Sequence, residues 1–352
     1  MRRFLWIIGS VLALLIAGAA LAAWSWTRTP YGPMDLGPAL LLHLAPINPP
    51  TEFTPETRRL ANARVASFMP EAVPGVAIRD ADFPGPGGPV PLRIYSPESP
   101  GPEPLPIVVY LHGGGWWMGD DLAGWDGACS QMAAGIPAVV VSVDYRLAPE
   151  HPFPAGLDDS YAALVWTHAH ARELGGDPNK LALHGSSAGG NLVGAVTLRA
   201  REKGGPAARA QVLLVPAMNL APPESESMRL FGEGYTLSSI DTMVAAYVGE
   251  DGDPKDPLIS PLRAEDLSGL PPALILTAQF DPLRDDAERY GARLREAGVA
   301  AEIKRFDGAV HGFLLSPGAR AESTELTIAA LRRAFADPNW APPRKSLPVR
   351  LR

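Results

Sequence analysis

The sequence predicts an α/β protein: a doubly wound, mostly parallel sheet of eight strands with helices on both faces. Three observations carry that prediction. Six apolar runs, "PIVVYLH", "AVVVSVDY", "KLALH", "AQVLLVP", "PALILTA" and "AEIKRFD", recur along the chain. Most of the segments between them hold amphipathic stretches of helix length, such as "GLDDSYAALVWTHAHARELG" and "LRDDAERYGARLREAG". Near-continuous apolar strands interleaved with helices are strands buried on both faces, which is the pattern of a parallel sheet. Right-handed crossovers then wind the chain to both sides and leave the carboxyl ends of the strands free for ligands. Two further candidates, "VAIRDADF" and "VPLRIYSP", flank the turn-forming "PGPGG" and form an antiparallel hairpin that opens the sheet.

From the N-terminus, Arg2 and Arg3 precede "FLWIIGSVLALLIAGAALAAW", which is uncharged from Phe4 to Trp24. About 20 helical residues at ~1.5 Å each span a bilayer core of ~30 Å. Trp24, Trp26 and Tyr31 follow where amphipathic rings settle, and the leading arginines place the remainder outside the cytoplasm, periplasmic or extracellular. The run "GAALAA" offers signal-peptide cleavage at Ala20 and Ala22, after which the body would be secreted. The apolar stretch exceeds the ~7 to 15 residues of a usual signal core, which favours an uncleaved anchor over residues 1–28. Residues 29–50 are rich in proline and glycine and read as a linker. Their short run "ALLLHLA" is either a small helix near the membrane or a packed lid. In "TPETRRLANARVASFM", Thr54 is the N-cap and Pro55 the first residue of a helix that precedes the main body. Residues 220–250 form a long excursion between two strands, an insertion over the carboxyl face. The proline-rich basic stretch 337–352 reads as a flexible tail.

The chain of 352 residues is 46% hydrophobic and 20% charged, a core-forming balance that excludes wholesale disorder. A net charge of -7 and a pI near 5.6 leave no clustered cationic footprint for nucleic acid. The single cysteine, Cys129, falls in the helix-like "LAGWDGACSQMAAG" and reads as a small buried apolar group.

The stretch "LALHGSSAGGN", residues 181–191, sets Ser187 in the frame G-x-S-x-G, with Gly185 and Gly189 two residues to either side. A serine at the tip of a tight strand-to-helix turn is strained, and flanking glycines allow the chain to turn. "KLALH" supplies the strand and "AGGNLVGAVTLRARE" the helix. A nucleophilic serine needs a base, a group that orients the base, and donors for the developing oxyanion. His311 follows the last strand in "FDGAVHGF", and Asp281 follows "PALILTA" in "QFDPLRDD", giving the chain order Ser187, Asp281, His311 of α/β-hydrolases. Asp281 has a competing structural role as cap of the helix beginning near Pro282. Asp285 and Asp286 favour that helix's dipole without catalysis. His168 and His170 lie two apart on a helix and point to different faces, His43 and His151 sit in loop-like surroundings, and His184 packs at a strand end. The stretch "LHGGGWWMG" places three glycines after a strand, where backbone N–H groups can turn inward. Such HGGG loops act in lipases and esterases together with the N–H after the nucleophile, here that of Ala188.

With HGGGW, GSSAGG, DPLRD and HGF in this order, the chain resembles the hormone-sensitive-lipase-like bacterial esterases, a branch of the α/β-hydrolase fold. The resemblance runs from about Pro55 to Ala336 and includes "DYRLAPEHPFPAGLDD", a segment bracing the loops behind the site. It implies a catalytic domain over residues 76–336 and a helical cap made from the N-terminal part of residues 29–75 and the insertion near 220–250. It also implies a small-molecule ester substrate with short to medium acyl chains, and no metal or organic cofactor. Ser187, Asp281 and His311 would be catalytic, Gly113, Gly114, Gly115 and Ala188 would form the oxyanion hole, and Trp116 and Trp117 would shape the acyl pocket. Two positions depart from the family: Ser186 stands where aspartate usually precedes the nucleophile, and Asn219 replaces an acidic residue after the sixth strand. Amide, lactone or xenobiotic hydrolysis on the same site is the near alternative. A catalytically silent, membrane-tethered binding protein is the distant one, since fold does not determine function.

Overall fold

The computed structural model describes residues 2–44, 50, 52–222, 225–237, 239–337 and 340. Helix α1 (Arg2–Trp26) leads to a ribbon of β1 (Arg28–Thr29) and β2 (Gly32–Pro33), then to α2 (Leu36–Leu44) and α3 (Pro55–Ala66). The body follows with β3 (Val76–Gly85), β4 (Gly88–Pro97), β5 (Leu105–Leu111), α4 (Asp126–Gly135), β6 (Val139–Val143), α5 (Ala155–Ala169) and β7 (Gly176–Ser186). It continues with α6 (Ala188–Lys203), β8 (Gln211–Leu214), α7 (Glu226–Phe231), α8 (Ile240–Val248), β9 (Ala273–Phe280), α9 (Arg284–Glu296), β10 (Ala301–Val310) and α10 (Pro317–Ala336).

All eight strand candidates join one sheet, in the order β10-β9-β8-β7-β5-β6-β4-β3. The hairpin β3–β4 is antiparallel, β4 is antiparallel to β6, and every other pair is parallel. Strand alternation explains why the apolar runs are continuous. Ile107, Val109 and Leu111 of β5 face one layer, where Leu164 of α5, Leu192 and Val196 of α6 and Leu294 of α9 pack. Val108 and Tyr110 face the other, with Cys129 and Met132 of α4 and Leu331 and Phe335 of α10. Both faces are therefore covered and both side-chain sets must be apolar. Cys129 is fully buried there, as a small apolar group.

Three segments depart from the sequence reading. The stretch that reads as a linker contains a ribbon that the sequence reading lacks and α2, the small helix that "ALLLHLA" allows, and this segment docks on the body. Met34 and Ala39 pack with Phe231, Phe280 and Val310, so His43 stands in a helix and not in a loop. Helix α3 has the expected Thr54 cap, reinforced by a reciprocal bond from Thr57, yet none of its residues is fully buried. It lies on the surface, with Ala61 and Val65 half-buried against the core and Arg58 and Asn62 making polar contacts to the body. Helix α10 has no counterpart in the sequence reading, although Pro317 stands at its first turn, a position where proline signals a helix start. Of the predicted tail, residues 338–339 and 341–352 lie outside the described residues.

Candidate active site

The carboxyl ends of the parallel strands assemble the site. At the end of β7 the chain turns directly into α6 through Ser187, whose φ of 54° and ψ of −116° lie in a region that L-residues rarely occupy. The turn is closed enough to forbid side chains on its flanks. A Cβ on Gly185 would stand 2.3 Å from the Gly189 carbonyl oxygen, and one on Gly189 would stand 2.0 Å from that of Leu111. The Ser187 N–H donates to the Leu214 carbonyl at 2.8 Å, pinning the turn to the end of β8.

Two other strand ends bring the partners. His311 directly follows β10, and its Nε2 lies 2.9 Å from Ser187 Oγ. Its Nδ1 lies 2.8 Å from Oδ2 of Asp281, which follows β9 and has no exposed surface. The second Asp281 oxygen, Oδ1, accepts the Leu283 N–H at 2.9 Å. The carboxylate thus fixes the turn before α9 with one oxygen and meets the imidazole with the other, so the turn bond and the imidazole bond coexist. Asp285 and Asp286 stand in the first turn of α9, away from this chain of bonds: Asp285 accepts the Ser227 N–H and Asp286 pairs with Arg289.

The glycine loop after β5 lies beside Ser187. A Cβ on Gly113 would come within 3.5 Å of Ser187 Cβ. Gly114 and Gly115 have φ of 126° and 59°, the first of which only glycine adopts freely. Among the described residues, no acceptor takes the N–H groups of Gly113, Gly114 or Gly115. Ala188 begins α6, where first-turn N–H groups have no intrahelical acceptor. Four backbone donors are therefore gathered within the turn and the loop next to Ser187.

The loop is braced from several sides. Tyr145 donates its hydroxyl to the His112 carbonyl at 2.7 Å while its ring stacks on the imidazole. Burial pushes the His112 pKa down to about 4, so the ring is neutral. The Ala148 N–H donates to the Trp116 carbonyl, and Arg146 holds the buried Asp159 through two bonds of 2.7 and 2.9 Å. This is how residues 144–159 support the site from behind. Trp116 and Trp117, expected to shape an acyl pocket, are each only 3% exposed. The Trp116 ring stacks on Tyr247 of α8 and the Trp117 ring tilts against Phe53 before α3, so the two rings tie the loop to α8 and to the segment that leads into α3.

Sequence reasoning missed one group of residues. Arg58 of α3 donates to the Trp117 carbonyl at 2.6 Å and to the Ala148 carbonyl at 3.1 Å. Asn62, one turn on, accepts the Gly119 N–H at 2.9 Å and donates to Asp120. The i, i+4 spacing of two polar residues on one helix face is the only available signal, and it is common on solvated helices. Of the two departures, Ser186 is half-buried beside the Gly113 backbone. Asn219 is buried between Arg263, whose Nε donates to its Oδ1 at 2.8 Å, and Asp286, an acid that burial shifts upward.

A strained serine between a strand and a helix, a histidine and a buried aspartate from two neighbouring strand ends, and an open glycine loop define the site of an α/β-hydrolase-fold serine hydrolase. Residues 108–315 match a family model described as alpha/beta hydrolase fold. Among curated proteins, the chain is 46% identical over 278 residues to carboxylic ester hydrolase LipN of Mycobacterium tuberculosis, covering 74% of this chain and 73% of that one. It is 41% identical over 314 residues to carboxylesterase NlhH of the same organism, covering 86% and 97%. A solved arylesterase structure superposes with a TM-score of 0.75 at 39% identity, covering 80% of this chain and 91% of the other. The chain belongs to the hormone-sensitive-lipase-like esterases, and it is a carboxylic ester hydrolase.

Proposed function

We propose that the chain cleaves short- to medium-chain carboxylic esters by a Ser-His-Asp mechanism through an acyl-enzyme. The observation that carries this reading is the continuous hydrogen-bonded line Ser187–His311–Asp281 at 2.9 and 2.8 Å, starting on the strained turn. Ser187 Oγ attacks the acyl carbon as His311 Nε2 takes its proton. Asp281 Oδ2 accepts the Nδ1–H, fixes the tautomer and stabilises the imidazolium. The alkoxide formed on the acyl oxygen is received by the N–H of Ala188 and by loop N–H groups among Gly113, Gly114 and Gly115, donors already oriented and so needing no reorganisation. His311 then returns the proton to the leaving alcohol, and water repeats the sequence on the acyl-enzyme. The chain itself supplies base, orienter and oxyanion donors, so the route calls for no metal or organic cofactor.

In this reading α2 and α3, with the insertion helices α7 and α8, form a cap on the catalytic domain 76–336, and Trp116 and Trp117 shape the acyl pocket by holding the glycine loop against Tyr247 and Phe53. Helix α1 serves as an uncleaved anchor with the catalytic body outside the cytoplasm. Support comes from its length of 25 residues and from the stacking of Trp26 on His43 of α2 at 4.8 Å, which gives the end of α1 a seat on the body. Mature protein beginning near residue 23 would refute the anchor.

The test is hydrolysis of p-nitrophenyl esters from acetate to palmitate by the detergent-solubilised full chain, with Ser187→Ala beside it. Cleavage of short chains by wild type alone supports the nucleophile and gives the pocket length. If neither folded protein cleaves any ester, the ester reading fails and a binding role or a demanding amide substrate takes its place.

A further inference from the structure

Helix α2 is apolar on two sides. Pro38, Ala39 and Leu41 are buried, Ala39 against Phe280 and Val310, the residues immediately before Asp281 and His311. Leu36, Leu40 and Leu44 recur every fourth residue and form a second stripe, with Leu36 51% and Leu44 67% exposed and Leu40 half-buried. A helix apolar all round is either enclosed by protein or sits in lipid. Outside α1, six large apolar side chains stand exposed among the described residues: Tyr31, Leu36, Leu44, Leu60, Val165 and Leu315. Four of them belong to the ribbon, to α2 and to the turn that α2 rests on. Tyr31 tips the ribbon, Leu36 and Leu44 mark the two ends of α2, and Leu315 meets Gly37, whose added Cβ would stand 2.8 Å from its own. An open groove of about 750 Å³, lined by Leu36, Leu40 and Leu315 and by charged residues including Lys304, Asp307 and Glu322, runs from α2 toward β10.

The end of α1 fixes where that face lies. Trp24 carries the Arg28 guanidinium over its ring at 3.8 Å, and Trp26 stacks on His43, the penultimate residue of α2. Aromatic rings paired with an arginine at the end of an apolar helix mark the headgroup layer. One end of α2 is thus held at that layer. The other end, nine residues and about 13 Å away, rests on the turn that carries His311.

We infer that α2 and the Leu315 turn rest on the bilayer surface, with the Leu36–Leu40–Leu44 stripe in lipid, and that the site draws amphiphilic esters dissolved in that bilayer. The inference rests on the anchor and on ester hydrolysis as read above. The anchor confines the body to the membrane, and the stripe orients it so that the carboxyl edge of the sheet, with its triad, faces the lipid. Binding of such an amphipathic surface scales with the apolar area it buries.

The full chain reconstituted in phosphatidylcholine vesicles tests this. Cys129 is buried, so Leu36→Cys, Leu44→Cys and, on α5, Val165→Cys each report one position when labelled with bimane. Nitroxide-bearing phosphatidylcholine should quench labels at 36 and 44 and spare 165. The double variant Leu36→Glu/Leu44→Glu should lose at least about tenfold in hydrolysis of vesicle-dissolved p-nitrophenyl decanoate, a medium-chain ester, relative to soluble p-nitrophenyl acetate, the scale of removing two apolar contacts with lipid. Labels at 36 and 44 that respond like 165, in protein that floats with the vesicles and cleaves the acetate, overturn the inference while anchor and esterase readings stand. Labels shielded from water yet not quenched by the lipid nitroxide overturn it too, in favour of a second copy covering the face. Wild type that does not float overturns the anchor and the inference together. Wild type that floats but leaves the acetate intact overturns the catalytic reading and the substrate assignment with it.

Discussion

Asp281 divides its two oxygens between a backbone N–H of its own turn and the His311 ring, and that division makes one substitution diagnostic. An asparagine in its place would still accept the Leu283 N–H through its amide oxygen. Its NH₂ group would face Nδ1 and force the tautomer that protonates Nε2, which then cannot take the serine proton. Asp281→Asn should therefore lose roughly 10⁴-fold in kcat while its melting temperature stays within a few degrees of wild type. Near-normal turnover in a folded Asp281→Asn would assign the orienting role elsewhere. Ser187 carries strain of the order of 1–3 kcal/mol in its backbone, sustained by the Leu214 hydrogen bond and by the packing of β7 against α6.

At the scale of elements, the distance between α6 and the end of β5 is set by a missing side chain. Gly189 faces the Leu111 and His112 carbonyl oxygens so closely that a Cβ would lie 2.0 and 2.4 Å from them. Gly189→Ala must push α6 off the sheet, with a cost of about 4 kcal/mol or more, readable as a shift in the urea midpoint. Gly318, inside α10 with no heavy atom within 4 Å of an added Cβ, gives the opposite result: alanine there should stabilise by up to about 1 kcal/mol. Helix α3 acts on the glycine loop through Arg58 and Asn62, at two points on either side of Met118. Neither residue reaches the triad in this geometry, so both are positioning residues. Arg58→Met should lower kcat between about ten- and hundredfold, the cost of misplacing a catalytic group by about an ångström, with KM for a short ester little changed. A rise in KM at constant kcat would instead place Arg58 in substrate binding.

For the whole molecule, buried titratable groups set how stability follows pH. His112 and His184 are buried, and burial pushes each pKa from 6.5 down to about 4. A depressed base contributes stability above its unfolded pKa and loses it as pH falls, so this pair destabilises the fold between pH 6.5 and about 4. Asp144, at the start of the segment behind the glycine loop, is shifted the other way. Burial first, then the neighbouring Asp120 charge, pushes its pKa from 3.8 up to about 7. The folded state then holds a proton that the unfolded state has released, so this contribution is present below pH 3.8 and is lost as pH rises to about 7. Asp144→Asn removes that loss. Its urea midpoint should match wild type near pH 4, exceed it progressively up to about pH 7, and keep a constant lead above. A lead that does not change with pH would show that Asp144 is already ionised throughout.

What the sequence determined by itself is what local pattern and chain order encode. Alternating apolar strands and helices determined the sheet, because strands buried on both faces must be apolar at every position. The G-x-S-x-G frame and the chain order of Ser187, Asp281 and His311 pointed to one site, because the fold places all strand ends along one edge. The order of strands β7, β8, β9 and β10 in space was needed to bring residues 124 and 30 positions apart within hydrogen-bond reach. Only the tertiary structure decided the rest. It turned a proline-rich linker into a ribbon and helix docked beside the triad, since Met34 and Ala39 gain an apolar seat that exists only after β9, β10 and α7 have come together. It also gave α3 its role, since Arg58 and Asn62 resemble any solvated helix face until the carbonyl and N–H groups of a loop some 57 to 59 residues away present themselves. Long-range contacts between polar groups leave no periodic trace in sequence, whereas burial does, and that difference divides what was legible from what was not.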